Sequence, residues 1–462
     1  TGPKVGFDYN EIENLNISLI GLKEAMSLEL TADVLKFKSA KKMKGLALIS
    51  EIKNSQNDNR LTIESWGEKV KNARFTICNR FNSLSEMTFS FLNSSFFIND
   101  AFWKIADDNK IKLDSNTIDF NNLFVSYEQQ QLAINGKAST SIFDTLNISL
   151  QEIDLAFISS LLPENTVDLK GVANGASSIV SVFDQLSLTT NLAVDSLFIN
   201  TVDVGRCYAT SIWDSKTKAL LIDANLGDKE ADLLKVSGSV NPLKFENSLD
   251  LSLHFNKFPL ELIRPYLVDY INDIEGFLNG EVTVGGKAEA PELKGILGLN
   301  KTKFHVNYLN TVYSIDDNII IEPDFIGFNL IKVKDENDSI AIATGTVFHE
   351  NFTNFNYDIG LEFNNFLSLN TSSKDNTLFY GRGIASGRAN ISGFSNQLIL
   401  ELDLKTEKGT DFKIPLQEGV DVSNADFLVF TNSPDYNKEE AEKVDLSGIE
   451  LSFDLEITPE AK

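Results

Sequence analysis

Alternation between large apolar and polar side chains limits what this chain can fold into more than any other feature. It is clearest in Leu249-Asp-Leu-Ser-Leu-His-Phe255, Leu400-Glu-Leu-Asp-Leu404, Leu451-Ser-Phe-Asp-Leu-Glu-Ile457, Leu146-Asn-Ile-Ser-Leu150 and Leu186-Ser-Leu-Thr-Thr-Asn-Leu-Ala-Val194. Side chains of a strand point alternately to its two faces, so each run reads as a half-buried strand with one apolar and one wet face. Breaks containing Asn, Asp and Gly separate the runs, as hairpin loops require. The chain is expected to be all-β.

Helical periodicity is scarce. The best candidate runs from Pro259 to Ile274, where Leu260, Ile263, Leu267, Tyr270, Ile271 and Ile274 recur at three- and four-residue steps, although Pro265 threatens an early break. A weaker one spans Asp154 to Leu162. With so few helices, the apolar faces must be covered by a second sheet, by closure into a barrel, or by a sheet curled on itself as a repeating trough.

An internal repeat favours the trough. Leu132-Ala-Ile-Asn-Gly136, Leu234-Lys-Val-Ser-Gly238 and Ile342-Ala-Thr-Gly345 each lead into an alternating strand. An apolar-polar-polar-apolar step follows in Leu150-Gln-Glu-Ile153, Phe255-Asn-Lys-Phe258 and Phe363-Asn-Asn-Phe366, then a Gly-x-x-x-Gly at 171–175, 276–280 and 383–387. The third copy replaces the helix candidates of the others with a polar loop from Asn365 to Thr377. A repeat of roughly 105 residues divides the chain into 1–130, 131–232, 233–340 and 341–462, read as segments of one continuous groove.

Strands lie about 4.8 Å apart across a sheet, so 25 to 30 of them side by side span on the order of 130 Å. The 33 Phe outnumber the 10 Tyr and 3 Trp, so the interior is apolar without polar handles. Such a trough suits acyl chains: at about 0.8 kcal/mol per methylene, sixteen carbons gain on the order of 13 kcal/mol gross, and a uniform wall lets the chain slide. The alternative is a dry interior filled by the protein's own side chains. The expected lining is Leu186, Leu188, Leu249, Leu251, Leu253, Phe255, Val282, Val284, Leu400, Leu402, Leu404, Leu451, Phe453 and Leu455.

The formal charge of −25 excludes nucleic acid as the main partner and disfavours adsorption to anionic headgroups. Catalytic and metal signals are missing: no nucleophile elbow or phosphate loop occurs, and 66 acidic residues give a chance carboxylate pair no specificity. His254, His305 and His349 are isolated, with His254 and His349 expected on the wet side of strands. Cys78 and Cys207 read as two isolated buried thiols, with a disulfide left open. The Gly-x-x-x-Gly steps are expected at strand-entry turns rather than membrane helices, and Asp335-Glu-Asn-Asp338 in a solvated hairpin loop rather than a calcium site. No apolar run reaches membrane-spanning length. Thr1-Gly-Pro3 and the late strand at 451–457 suggest a piece of a longer chain.

From Gly276 to Leu416 the wording resembles the repeat region of the TamB family, the translocation and assembly module proteins of diderm bacteria. The residues carrying it are Gly276-Phe-Leu-Asn-Gly280-Glu-Val-Thr-Val284, Ala290-Pro-Glu-Leu-Lys-Gly295, Tyr313-Ser-Ile-Asp-Asp317, Ala343-Thr-Gly345-Thr-Val-Phe-His349, Phe379-Tyr-Gly-Arg-Gly383 and Ile391-Ser-Gly393. Asp375-Asn-Thr-Leu-Phe-Tyr-Gly381 and Phe412-Lys-Ile-Pro-Leu416 are similar to the Bacteroidota branch, and residues 1–275 join through the internal repeat. The resemblance implies an AsmA-like, bridge-like lipid-transfer fold with a long apolar β-groove. It also implies a periplasmic location, an inner-membrane anchor, an outer-membrane barrel partner of the BamA or TamA type, and no catalytic residues or cofactor. The leading expectation is transport of phospholipid acyl chains between membranes. The alternatives are a scaffold for outer-membrane protein assembly or secretion, and an extracellular array of β-sandwiches acting as an adhesin.

Overall fold

The computed structural model describes residues 2–461 apart from 8–9, 23–24, 37–41, 55, 68–69, 82, 84, 99, 162–167, 185, 200–201, 229–230, 268–270, 289, 376–379, 395–396 and 414–448. The chain forms two units, Thr1–Phe245 and Glu246–Lys462.

The first unit contains β1 (Gly2–Phe7), β2 (Asn10–Leu22), β3 (Ala25–Lys36), β4 (Lys42–Lys53), β5 (Gln56–Trp66), β6 (Val70–Phe81), β7 (Met87–Ile98), β8 (Ala101–Ile105), β9 (Lys110–Asp114), β10 (Thr117–Tyr127), β11 (Gln130–Ala138), β12 (Thr145–Asp154), the helix α1 (Leu155–Leu161), β13 (Leu169–Val180), β14 (Ser187–Ile199), β15 (Val202–Asp214), β16 (Ala219–Asp228) and β17 (Ala231–Val240). It is an antiparallel meander in which β8 and β9 share one place between β7 and β10. The second unit contains β18 (Leu249–Pro259), a 3₁₀ turn (Leu260–Tyr266), β19 (Ile271–Lys287), β20 (Ala290–Val306), β21 (Thr311–Glu322), β22 (Phe325–Lys334), β23 (Ile340–Glu350), β24 (Thr353–Thr371), β25 (Tyr380–Phe394), β26 (Gln397–Thr406), β27 (Asp411–Lys413) and β28 (Ile449–Glu456). It meanders likewise as far as β26, beside which β28 runs parallel. Alternation alone does not distinguish a parallel neighbour from an antiparallel one, since both preserve which face a side chain takes.

The all-β reading therefore holds, and register carries it. In the second unit one row of facing residues runs Leu253, Val282, Gly295, Ile321, Ile326, Val347, Tyr357, Gly393, Leu398, Ile449. In the first, a row runs Val125, Leu132, Leu150, Gly175, Leu192, Ala209, Ala224, Val236. A slip by one residue at any hairpin would turn every later strand inside out.

The apolar-polar-polar-apolar step has a structural meaning: each copy is a β-bulge. Register shifts fall between Leu150 and Ile153, between Phe255 and Phe258, and between Phe363 and Phe366. The third residue of each step, Glu152, Lys257 or Asn365, has φ of 50–51°. Its N–H donates to a side chain on the neighbouring strand: Asn174 Oδ1 at 2.9 Å, Asn279 Oδ1 at 2.8 Å and Ser386 Oγ at 2.9 Å. That acceptor immediately precedes the second glycine of Gly-x-x-x-Gly, and the glycine faces the first apolar residue of the step. The same unit recurs at Phe120–Leu123 with Asn135-Gly136 and at Phe328–Ile331 with Thr344-Gly345. The repeating device is thus a bulged hairpin, more frequent than the three copies legible in the sequence.

Several expectations need correction. The glycines of the Gly-x-x-x-Gly steps lie within β13, β19 and β25, not at strand-entry turns. At Gly280 the backbone has φ +136°, and a Cβ would overlap the carbonyl oxygen of Ile296 on the adjacent strand. The helix expected over 259–274 stops as the 3₁₀ turn ending at Tyr266, and Ile271 already begins β19. Pro265 removes a backbone donor from that turn, and ladder pairing on both sides of β19 outweighs the local helical period. Tyr270 lies outside the described residues. The second helix candidate is the short α1. Asn365–Thr371 continues β24 past the bulge rather than forming a polar loop, with a second register shift between Leu367 and Leu369, and Phe366, Leu367 and Leu369 are buried; residues 376 and 377 lie outside the described residues. Cys78 and Cys207 are free and only half-buried.

Replacing Gly280 by Ala is expected to destabilise the chain by about 2–4 kcal/mol, since it adds strain at positive φ to a backbone clash. Gly285→Ala, where a Cβ meets open space, should change stability by less than about 1 kcal/mol. Urea unfolding of the two variants checks the contrast.

Candidate functional site

The candidate site is the apolar face, and register shows which of the expected lining residues stand beside one another. Leu251 faces Val284 and Leu253 faces Val282; Leu249 and Phe255 share their parity on β18. Leu400, Leu402 and Leu404 lie beside Leu451, Phe453 and Leu455. In the first unit Leu188 faces Ile179, which faces Leu146, while Leu186 immediately precedes β14. The same row also contains Gly295, Ile321, Ile326, Val347, Tyr357 and Gly393, which were not among the expected residues. Pairing partners, which strand periodicity does not name, bring them into the row.

Coverage of this face varies along each unit. In the second, the 3₁₀ turn lies over β18–β21: Leu260 is 1% exposed and Val282 2%, in a cluster with Ile274, Leu278, Leu297 and Ile321. At β28, by contrast, Leu451 is 57% and Phe453 47% exposed. In the first unit, α1 brings Phe157 against Trp103, ring centroids 5.2 Å apart, whereas Ile17 and Leu19 of β2 stand largely uncovered.

The post-bulge half of β24 forms a further crosspiece. Asn370 N–H donates to the Leu309 carbonyl at 2.9 Å, and Tyr313 Oη donates to the Leu367 carbonyl at 3.1 Å. Phe366 stacks on Tyr313 with centroids 5.3 Å apart. Three sheet positions separate β21 from β24, about 14 Å in a flat sheet, so the sheet curls to make these contacts. Asp335 locks the crosspiece. Its carboxylate accepts the N–H of Asn337 at 2.8 Å, Ser339 at 2.9 Å and Leu367 at 2.7 Å. The Asp335–Asp338 segment is a hairpin loop, as expected, but Asp335 is buried rather than solvated, because it serves donors from both its own loop and β24. Burial pushes the Tyr313 hydroxyl up to about 12, so it stays a donor at every physiological pH.

His349 departs from its expected wet position: it is buried, stacked on Phe352 at 4.3 Å, with the Phe352 N–H on its Nδ1 at 3.4 Å. Burial holds its pKa below the ordinary histidine value, against the charge of Asp324. His254 is exposed, and His305 Nε2 is 3.0 Å from Asn310 Oδ1. Among the described residues no cluster of three or more His, Cys, Asp or Glu is placed to hold a metal, and no helix is long and apolar enough to cross a membrane.

The wet face carries ion pairs instead. Glu362, Arg388, Asp403 and Asp454 form one cross-strand row, with Arg388 Nε 3.0 Å from Glu362, in an open recess of about 730 Å³. Arg388 offsets only one of the three carboxylates of that row, so it stays acidic, and the row lies on the opposite side of the sheet from the apolar rows.

Asp335→Ala should cost about 3 kcal/mol or more by orphaning three N–H groups, read by chemical denaturation. For His349 the unfolded chain binds a proton on acidification before the folded site does, so its contribution is lost as pH falls through the ordinary histidine range and levels off below the folded pKa. The fall in Tm from pH 7.5 to 5.5 should therefore be smaller in His349→Phe than in the parent, measured by calorimetry.

Two family models account for nearly the whole chain. Residues 4–299 match the TamB N-terminal domain and residues 329–461 the TamB C-terminal domain. No curated protein and no solved structure shows significant similarity to the chain. With the bulged, one-sided sheet already in view, these matches establish that the chain belongs to the TamB family of cell-envelope transport and assembly modules.

Proposed function

We propose that the apolar face carries the acyl chains of phospholipids between the inner and outer membranes, from a periplasmic position. The observation supporting it is the second unit's row from Leu253 to Ile449, in which every facing residue is apolar, Tyr or Gly. The mechanism is passive. Methylenes exchange water for the apolar wall at about 0.8 kcal/mol each, along those stretches that the protein's own cover leaves open. Headgroups stay at the uncovered margin, where they keep their water. A barrel partner of the BamA or TamA type and an inner-membrane anchor belong to the same proposal and rest on family membership alone.

The test places charge on the apolar face with Leu251→Asp and Phe255→Lys, in a chain carrying a photo-crosslinking residue in place of Leu402. Lipid crosslinking should fall by at least tenfold, since each charge must be desolvated to let a chain pass. Matched changes on the wet face, Ser252→Asp and His254→Lys, should leave it unchanged. Undiminished lipid crosslinking in the apolar-face variant would refute the conduit. Crosslinks to outer-membrane protein strands without lipid would favour an assembly scaffold.

A further inference from the structure

One part of the first unit's apolar face is polar. Between the row Leu30, Leu48, Leu61, Phe75 and the start of β5 lie two rows that change character. One reads Leu28, Ser50, Asn59, Ile77, Phe91 and the other Met26, Ile52, Asn57, Asn79, Phe89. Three carboxamides and a hydroxyl thus occupy positions that parity assigns to the apolar side. Aromatic rings border them: Phe89 and Phe91 are 6.1 Å apart, and Phe75 lies 6.5 Å from Phe91.

The cluster is incompletely satisfied. Ser50 Oγ donates to Asn57 Oδ1 at 2.9 Å, and Asn59 Nδ2 donates to the Ile77 carbonyl at 3.3 Å. Among the described residues, the Asn57 Nδ2 and the whole Asn79 carboxamide have no protein partner, and both residues are half-buried. A saturated chain lying over them would strip their water and return nothing. A phosphate would call for cations, yet these rows hold no Lys or Arg across β4–β6. What matches unpartnered N–H donors beside aromatic rings is an uncharged acceptor attached to an acyl chain.

We propose that Asn57, held by Ser50, and Asn79 form a station for the ester carbonyls of a diacyl glycerolipid, a place on this face where the ligand's linkage rather than its chain is recognised. The proposal rests on the acyl-conduit reading and deepens it. A comparable hydroxyl file at Ser177, Thr190 and Ser211 does not qualify, since Ser177 and Thr190 satisfy each other at 2.8 Å.

The test uses the 462-residue chain and two phosphatidylethanolamines of equal chain length, one ester-linked and one ether-linked, compared by competition binding in detergent micelles. The parent should prefer the ester lipid about three- to tenfold, the worth of one or two neutral hydrogen bonds. Asn57→Val with Asn79→Val, substitutions suited to a strand, should abolish the preference without weakening ether-lipid binding, because the unpaired carboxamides are gone. The single Asn79→Val variant, which leaves the Ser50–Asn57 bond intact, should show a reduced preference and serves if the double variant fails to fold. Equal binding of both lipids by the parent, or a preference undiminished in either variant, overturns the station. Binding of neither lipid by the parent overturns the conduit itself, and the station with it.

Discussion

Conservation of side-chain parity from strand to strand is the constraint on which the rest depends. In a long meander each hairpin hands its register to the next, and a one-residue error would exchange the apolar and wet faces thereafter. Bulges are the dangerous points, because they insert an odd residue. Here the extra residue takes positive φ, its N–H is met by a side chain of the adjacent strand, and a glycine there faces the large apolar group that opens the step. The bulged strand bends and its twist increases. One device therefore restores parity, satisfies a backbone donor and supplies curvature.

Curvature in turn decides how much of the apolar face is covered. Helix α1, the 3₁₀ turn and the outer half of β24 each follow a bulged strand segment and carry apolar groups onto the face. They do so by different secondary structure, which shows that the requirement is for an apolar cover rather than for a helix. Where the cover is a strand, Asp335 ties it down: its buried carboxylate accepts the Leu367 N–H of the covering segment along with two N–H groups of its own loop. Where no such segment reaches, as at Leu451 and Leu19, the apolar wall stays open. A face alternately covered and bare within each unit is compatible with a sliding ligand that needs the protein's own side chains to fill only part of the space.

Much of this was legible beforehand. The runs at 249–255, 400–404 and 451–457 pair apolar with apolar across the ladder, as their alternation predicts, because period two is a property of the strand itself. The repeat was visible as well, but its parts were misread. The Gly-x-x-x-Gly steps looked like turns because glycine has more than one use, and only the neighbour across the ladder shows that Gly280 leaves room for Ile296. Asn365 looked like the start of a loop because polarity at a bulge is indistinguishable from polarity in a turn. His349 and Asp335 were placed in solvent because local sequence does not record which distant segment folds over them.

The amino-acid order by itself determined the all-β class, the two-faced strands, the parity of the alternating runs and the family resemblance that the domain matches bear out. These are consequences of local geometry, repeated until they dominate. Tertiary structure alone decided that β28 lies parallel to β26, which stretches of the apolar face are covered, and that Asn57, Asn59 and Asn79 gather on the apolar side instead of the wet one. Each of those depends on which strand stands next to which, and pairing partners are fixed by contacts between residues far apart in the chain.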